Sequence, residues 1–194
     1  MNKNILIVGT VPYEKESTSR AFESYFSGDN NSNLAQIYSD PREPLRGQCA
    51  TLYQITDYML LKKWVNRKSI VGKVYNYDSL KEFHNTQNIR KSNITSCLYK
   101  IGSLHFPLTH LLRKFLWRRR FWLNQYFLDW VDGFNPNVIF LSFSNDFFVF
   151  DIINFLVSRF KIPVVSVLGD DYIFNNRFSI SPFYYLYRSM YRNK

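Results

Sequence analysis

The residues of this sequence that are best suited to chemistry follow two apolar runs in its second half. Asp170 and Asp171 are adjacent carboxylates directly after the second run, and residues 142–146 form a short, mainly polar segment after the first. Paired carboxylates after a strand can act as a general base, bind a metal ion or contact sugar hydroxyls. In the plainer alternative, one of the pair caps the next turn and the other is solvated. The spacing leaves both interpretations open.

The elements that must position these segments are predicted to form a βαβ unit. Residues 138–141 and 164–168 are short apolar runs, and roughly 20 residues with a helical pattern separate them. This order is typical of two buried parallel strands joined by a helix. Ligands of such sheets gather beyond the carboxyl ends of the strands. The helix is expected to begin near Asp146, with Ser144 or Asn145 near its N-cap.

A strand, a loop and a helix are also predicted at the start of the chain. Residues 4–9 indicate a buried strand, residues 10–19 a polar loop, and residues 20–26 a helix. A phosphate or sugar could bind at that helix N-terminus, where N–H groups attract oxygen ligands. An ordinary capped helix explains the pattern equally well, and only Gly9 of a dinucleotide fingerprint is present. The residues that could cap this helix are Ser17, Thr18 and Ser19.

Two further strands are predicted before a long connection. Residues 33–38 alternate between apolar and polar types, which favours a position nearer the edge of the sheet. Residues 51–55 form a third short strand, and Asp57 is placed to cap a helix after it. Residues 66–104 are polar and basic, and they predict a long connection with partial helix.

Residues 105–130 are predicted to form one basic aromatic helix. The segment contains five Lys or Arg residues, one Asp and eight Phe, Trp or Tyr residues. A single helical wheel puts most of the cations on one side, with two aromatic rings among them. Such a face suits an anionic membrane interface or single-stranded nucleic acid, and the alternative is a core helix with a solvated basic face. The candidate membrane-binding residues are Arg113, Lys114, Trp117, Arg118, Arg120 and Phe121.

The totals are consistent with one domain that meets an anionic partner. The chain has 194 residues, a net charge of +10 and 19% aromatic residues, which suggests nucleic acid, a membrane surface or a phosphorylated substrate. No recognised nucleic-acid-binding pattern is present, so that class is not favoured. No signal peptide and no run of about 18 apolar residues is found. Cys49 and Cys97 are expected as reduced thiols, and no metal site or cofactor is expected.

An ordered set of short segments resembles the amino-terminal half of a bacterial GT-B glycosyltransferase of the kind that builds surface polysaccharides. The segments are residues 5–12, 33–38, 53–57, 136–140, 162–165 and 170–172. The resemblance implies an α/β fold: one Rossmann-like domain over residues 1–194, with a mostly parallel sheet and helices on both faces. This domain would be one half of a GT-B fold and would bind the acceptor.

The resemblance also implies an incomplete catalyst. The second domain, which holds the nucleotide-sugar donor in such enzymes, is missing, so the chain is expected to be truncated and inactive alone. The complete enzyme would transfer a sugar to a lipid-linked or polysaccharide acceptor, in the cytoplasm at the inner face of an anionic cell membrane. The alternative is a non-catalytic binding or assembly subunit that pairs with a separate donor-domain chain.

Site residues follow from the same resemblance. In an inverting enzyme, a carboxylate or histidine of this domain would act as the base, and the candidates are Asp146, Asp170 and Asp171. The strand-end loops would face the cleft between the domains. The substrate-binding candidates in these loops are Gly9, Thr10, Ser17, Thr18, Ser19, Ser144, Asn145 and Tyr172.

Overall fold

The computed structural model describes residues 3–13, 25–26, 32–44, 48–76, 107–142, 146–167 and 181–192. These residues form an α/β fold around a six-stranded sheet. The strands are β1 (Lys3–Val8), β2 (Ser32–Tyr38), β3 (Thr51–Gln54), β4 (Lys73–Asn76), β5 (Val138–Ser142) and β6 (Val164–Val167). The helices are α1 (Asp57–Val65), α2 (Pro107–Leu116), α3 (Arg119–Trp122), α4 (Gln125–Phe134), α5 (Phe147–Phe160) and α6 (Pro182–Arg192).

The order of the strands is β4-β3-β2-β1-β5-β6, and every neighbouring pair except β3–β4 is parallel. The chain builds outward from β1 through β2 and β3, and it then crosses to the other side of β1 to form β5 and β6. The strand order therefore reverses between β1 and β5. This confirms the predicted mostly parallel, Rossmann-like α/β class.

Each face of the sheet carries its own apolar core because successive strand residues point to opposite faces. Leu6 and Val8 of β1 pack with residues of α1, α3, α4 and α5 on one face. Ile7 packs on the other face with Tyr13, Phe26 and Phe140. The central strands are thus buried on both sides, as in other parallel sheets.

The predicted βαβ unit is confirmed as β5, α5 and β6. Helix α5 ends at Lys161, which has a left-handed backbone with φ 55°, and Pro163 prevents the helix from continuing. The predicted burial of the second strand is wrong. The side chains of Val164, Val165 and Val167 are 37–49% exposed because β6 lies at the edge of the sheet.

The prediction of one helix over residues 105–130 is also wrong, since α2, α3 and α4 replace it. The chain leaves the helical conformation at Arg118, and Asn124 starts a new helix with its backbone extended. The side-chain oxygen of Asn124 accepts a hydrogen bond from the Phe127 N–H at 2.9 Å, which caps α4. Trp122 donates its indole N–H to the carbonyl of Trp117 at 3.1 Å, and this hydrogen bond bridges the break between α2 and α3.

Two details of the sheet differ from the sequence prediction. Strand β2 is interior rather than near an edge, since it pairs with both β1 and β3. Gln36, which contributes to the alternating pattern, is buried and has its own partners. Gln36 Oε1 accepts from the Tyr13 N–H at 2.6 Å, and its amide donates to the Val11 carbonyl at 2.8 Å. Strand β4 lies inside the segment that was predicted to be a connection. It follows Gly72, where φ is 105° and a Cβ would lie 2.0 Å from Tyr53 Oη.

The start of α1 is close to its predicted position. Thr56 caps α1 rather than Asp57, since the Thr56 hydroxyl accepts from the Met59 N–H at 3.2 Å. Helix α6 follows Ser181 and is rich in aromatic residues. Within the described ranges, no helix combines the length and the apolar character needed to cross a membrane.

Candidate functional site

The reversal of strand order places the end of β1 beside the end of β5. A Cβ at Gly9 would lie 3.0 Å from the Ser142 Cβ, so the two strand ends approach closely. The carbonyl of Thr10 accepts hydrogen bonds from the N–H groups of Ser39 and Asp40, at 3.1 and 2.8 Å. Gly9 and Thr10 therefore lie at the predicted strand end, and the Thr10 carbonyl has a structural role there.

A polar cluster, defined as Asp57, His110, Arg113, Trp117 and Asp146, lies at the same carboxyl edge of the sheet. Arg113 of α2 connects two carboxylates that follow different strands. Its Nη1–H donates to Asp146 Oδ1 at 2.5 Å, and its Nε lies 3.0 Å from Asp57 Oδ2. The Trp117 indole N–H donates to Asp57 Oδ1 at 2.5 Å. One arginine thus joins the start of α1 to the start of α5.

His110 is the member of the polar cluster that the sequence analysis missed. Its Nδ1 lies 3.6 Å from Asp146 Oδ1, and its side chain is almost fully buried. His110, Arg113 and Trp117 are spaced at i, i+3 and i+7 on and just after α2, so they share one side of it. That spacing was a signal in the sequence, but only the fold shows that this side faces Asp146.

The contacts within the polar cluster shift the pKa values of Asp146 and Arg113. Burial alone would raise the pKa of Asp146, but the contacts with His110 and Arg113 outweigh it, so the pKa lies below its ordinary value of 3.8. Burial opposes the charge of Arg113, and the two carboxylates raise its pKa, so that it stays protonated. A carboxylate with a lowered pKa is a weak base, so Asp146 is better suited to orient a neighbour than to remove a proton.

Helix α6 covers the polar cluster on one side. The Tyr187 ring lies 5.0 Å from the His110 ring and 5.1 Å from the Phe147 ring, measured between centroids. His110 is therefore sandwiched between its own helix, Asp146 and α6. Any substrate that reaches His110 must approach from the remaining side or displace Tyr187.

An apolar groove with a basic rim lies between α1 and α2, on the outer side of Arg113. Its volume is about 520 Å³. Its walls include Trp64, Leu112 and Phe115, whose side chains are 63%, 59% and 59% exposed. Arg118 and Arg120 stand at its rim, with their guanidinium groups 5.1 Å from the Phe115 ring and 4.7 Å from the Phe121 ring. We call this feature the α1–α2 groove.

Only some of the candidate membrane-binding residues are exposed in the structure. Arg118 and Arg120 are exposed, and Lys114 and Phe121 are half-buried. The outer position predicted for Trp117 and Arg113 is wrong. Trp117 is 1% exposed and stacks on Phe148 at 3.7 Å, and Arg113 points inward to the polar cluster. The wheel failed because α2 turns its polar side, and not its apolar side, toward the rest of the fold.

The other predicted site residues lie outside the described residues. They are Ser17, Thr18, Ser19, Ser144, Asn145, Asp170, Asp171 and Tyr172. In the part of the chain that is described, no group of three or more His, Cys, Asp or Glu side chains could hold a metal ion. Cys49 is buried, and burial raises the pKa of its thiol to about 12, so it is an unreactive core residue.

Comparison of the chain with protein-family models, with curated proteins and with solved structures finds no match.

Proposed function

We propose that this domain is the acceptor-side half of a glycosyltransferase. The observation that carries the proposal is the His110–Asp146 pair beside the reversal of strand order, where Rossmann-like sheets bind their ligands. A nucleotide-sugar would be held by a donor-binding domain, and this domain would present the acceptor hydroxyl. The resemblance of the ordered sequence segments to GT-B enzymes supports the same function.

In this proposal His110 is the base and Asp146 is a positioning residue. Nδ1 of His110 faces Asp146, so Nε2 would accept the proton of the acceptor hydroxyl as the new glycosidic bond forms. Arg113 keeps Asp146 ionised, and the ionised carboxylate stabilises the imidazolium that results. The nucleoside diphosphate leaves with the electrons of the bond to the sugar.

The acceptor is proposed to be lipid-linked and to lie at the inner face of an anionic membrane. The net charge of +10 and the exposed apolar residues at the end of α1 support this location. Trp64 and Val65 are 63% and 83% exposed, and Lys62, Arg67 and Lys68 beside them are exposed cations. Aromatic rings and cations together are typical of a membrane interface.

Deletion of the gene tests the proposed function. We expect cells without it to accumulate a lipid-linked glycan that is one sugar shorter, as mass spectrometry would show. The wild-type gene should restore the complete glycan, and His110→Ala should lower transfer by about 100-fold or more because a general base is lost. Asp129→Asn, at an exposed position of α4, is the control and should restore the glycan fully. Full restoration by His110→Ala would contradict the catalytic role.

A second candidate function is a non-catalytic assembly subunit that pairs with a donor-domain chain. The observation that favours it is the exposed edge of β6, because an open sheet edge can pair with another chain. In that case His110→Ala restores the glycan, whereas Val165→Lys on β6 does not. The same complementation experiment therefore separates the two functions.

A further inference from the structure

We propose that the α1–α2 groove binds the hydrocarbon tail of a phosphate-headed lipid and that Arg118 and Arg120 bind its phosphate. The inference deepens the proposed function, because it names the site for the lipid part of the acceptor. It rests on that function only for the role of the bound lipid.

The walls of the groove are suited to a hydrocarbon tail. Leu61, Leu112, Leu116 and Phe121 line it, and Trp64 stands at the α1 side. Its volume of about 520 Å³ lies in the range of roughly 300–1,000 Å³ that is usual for small-molecule sites. Leu112 and Phe115 are more than half exposed although they lie on the apolar side of a helix. A tail in the groove would remove this apolar surface from water.

The rim of the groove is suited to a phosphate. Arg118 and Arg120 are exposed, and neither makes an ion pair with any residue that the structure describes. Asp57 also lines the groove, but Arg113 and Trp117 occupy its carboxylate, so its charge is compensated. Two guanidinium groups that make no ion pair with a described residue stand beside the apolar α1–α2 groove. They match a ligand with one anionic end and one long apolar end.

Other occupants fit this surface less well. Single-stranded nucleic acid needs open ring faces for stacking, but guanidinium groups already lie over Phe115 and Phe121. A flat membrane surface would contact Val65 and Ile70, which are 83% and 78% exposed and lie outside the groove. The groove is a separate feature within the larger surface, and its volume of about 520 Å³ suits a single tail.

Binding of monomeric lipids to the full chain tests the proposal directly. Farnesyl phosphate, farnesol and inorganic phosphate would be titrated by calorimetry, below the concentrations at which the lipids aggregate. We expect farnesyl phosphate to bind, farnesol to bind at least about fivefold more weakly for lack of the phosphate, and inorganic phosphate not to compete. The emission of Trp64 should shift to the blue as the tail covers it, and Trp64→Phe should remove that shift. No binding of farnesyl phosphate, or equal competition by inorganic phosphate, would overturn the proposal.

Matched variants locate the tail and the head. Leu112→Gln and Phe115→Gln should each weaken farnesyl phosphate binding by about tenfold, since each removes a large apolar contact. Leu186→Gln, at a similarly exposed position on α6 outside the groove, should leave binding unchanged. These exposed positions tolerate the change without loss of the fold, which circular dichroism would verify. Wild-type affinity in both groove variants would overturn the assignment of the tail.

The double variant Arg118→Gln/Arg120→Gln should weaken farnesyl phosphate binding by at least about tenfold and leave farnesol binding unchanged. Arg67→Gln/Lys68→Gln is the control, because it removes the same charge from exposed residues outside the groove. Equal loss in both double variants would show a general charge effect and overturn the phosphate site. Binding of a single-stranded oligonucleotide that Leu112→Gln abolishes would assign the groove to nucleic acid instead.

The outcomes separate this inference from the proposed function. If farnesyl phosphate does not bind but His110→Ala still abolishes sugar transfer, the groove has another role and the glycosyltransferase proposal stands. If farnesyl phosphate binds as expected but deletion of the gene leaves every glycan unchanged, the lipid site stands and the glycosyltransferase proposal falls.

Discussion

Arg113 is the residue that joins the two halves of the sheet through side chains. It contacts Asp57, which follows β3, and Asp146, which follows β5. Its guanidinium group also lies 5.0 Å from the Phe148 ring of α5. The side chains of Arg113, Asp57 and Asp146 are 21%, 32% and 13% exposed, so solvent screens these ion pairs only in part.

Replacement of Arg113 should destabilise the fold because it leaves two partly buried carboxylates without their cation. We expect Arg113→Leu to lower the free energy of unfolding by about 2–4 kcal/mol in urea denaturation. The double variant Arg113→Leu/Asp146→Asn should recover part of the loss, because one uncompensated charge is removed with it. An unfolding free energy equal to that of the wild type would show that the ion pairs contribute nothing.

The ion pair between Arg113 and Asp146 predicts that the stability of the fold depends on pH. The pKa of Asp146 in the folded state is below 3.8, so the unfolded chain binds the proton more readily. Its stabilising contribution is therefore complete above the unfolded pKa and is lost as the pH falls through the folded pKa. We expect the unfolding free energy of the wild type to fall below about pH 4 more steeply than that of Asp146→Asn.

Asp132→Asn is the control for this pH dependence. Its pair with Arg159 also lowers the pKa of Asp132, but both residues are exposed. Salt should therefore reduce the contribution of Asp132 to the free energy of unfolding and leave the contribution of Asp146 nearly unchanged. Parallel pH curves for the wild type and Asp146→Asn at high salt would contradict the prediction.

For single residues, the sequence predicted their places in the fold better than it predicted which side chains they contact. Asp146 and Gly9 lie at strand ends, as the apolar runs before them indicated. The contact between His110 and Asp146 depends on how α2 crosses the sheet, and no local pattern carries that information. Burial of Trp117 could not be predicted for the same reason, because a wheel gives the relative directions of side chains but not which side of the helix faces the fold.

Among the elements, the break between α3 and α4 determines which residues of the basic aromatic segment are exposed. Asn124 stabilises that break twice: its oxygen caps α4, and its amide donates to the Val71 carbonyl at 2.8 Å. The second bond ties the start of α4 to the residues that lead into β4. One side chain therefore fixes both the break and its position over the sheet.

Substitution of Asn124 should be more costly than loss of an ordinary cap. We expect Asn124→Ala to lower the free energy of unfolding by about 2 kcal/mol, since it loses the cap and leaves the buried Val71 carbonyl without this donor. Asn124→Asp should recover about half of the loss, because a carboxylate caps the helix but cannot donate. Chemical denaturation measures the free energy of unfolding of both variants. Equal stability of the Ala and Asp variants would show that the cap is unimportant.

The elements with strong local patterns were predicted, and those that depend on neighbours were not. Strand β5 is a short apolar run preceded by Pro136 and Asn137, and helix α5 is a long apolar segment followed by Pro163, so their limits were visible. Strand β4 consists of Lys73, Val74, Tyr75 and Asn76, and it becomes a strand because β3 offers it an edge. The interior position of β2 was missed because Gln36 made the strand look half-polar, and the partners that allow its burial lie 23 and 25 residues away.

For the whole molecule, charge and exposed apolar residues predict binding to anionic membranes. We expect the chain to bind vesicles that contain phosphatidylglycerol, to bind neutral vesicles weakly, and to be released as salt shortens the Debye length below about 10 Å. Trp64→Ala/Val65→Gln should reduce binding by about tenfold in a sedimentation assay. Leu186→Gln on α6, also exposed, should have no effect.

Equal binding to neutral and anionic vesicles would contradict this prediction.

Trp117 is unsuitable for such a test, although the sequence placed it on the basic face. Its ring is buried against Phe148, so its replacement would open a cavity in the core. The α/β class, in contrast, was predicted, because alternation of apolar runs and helical segments has few topological solutions.

The position of β1 in the sheet has a consequence in time. Ile5 pairs with Val138, and the backbone between them must be synthesised before this ladder can form. Asn4 and Asn137, which flank the ladder, are 133 residues apart. At about 5–20 residues per second, the ribosome needs roughly 7–27 s for that interval. During this interval β1 can pair with β2 but has an open edge on its other side, so the nascent chain is most open to mispairing or chaperone binding at a central strand of its sheet.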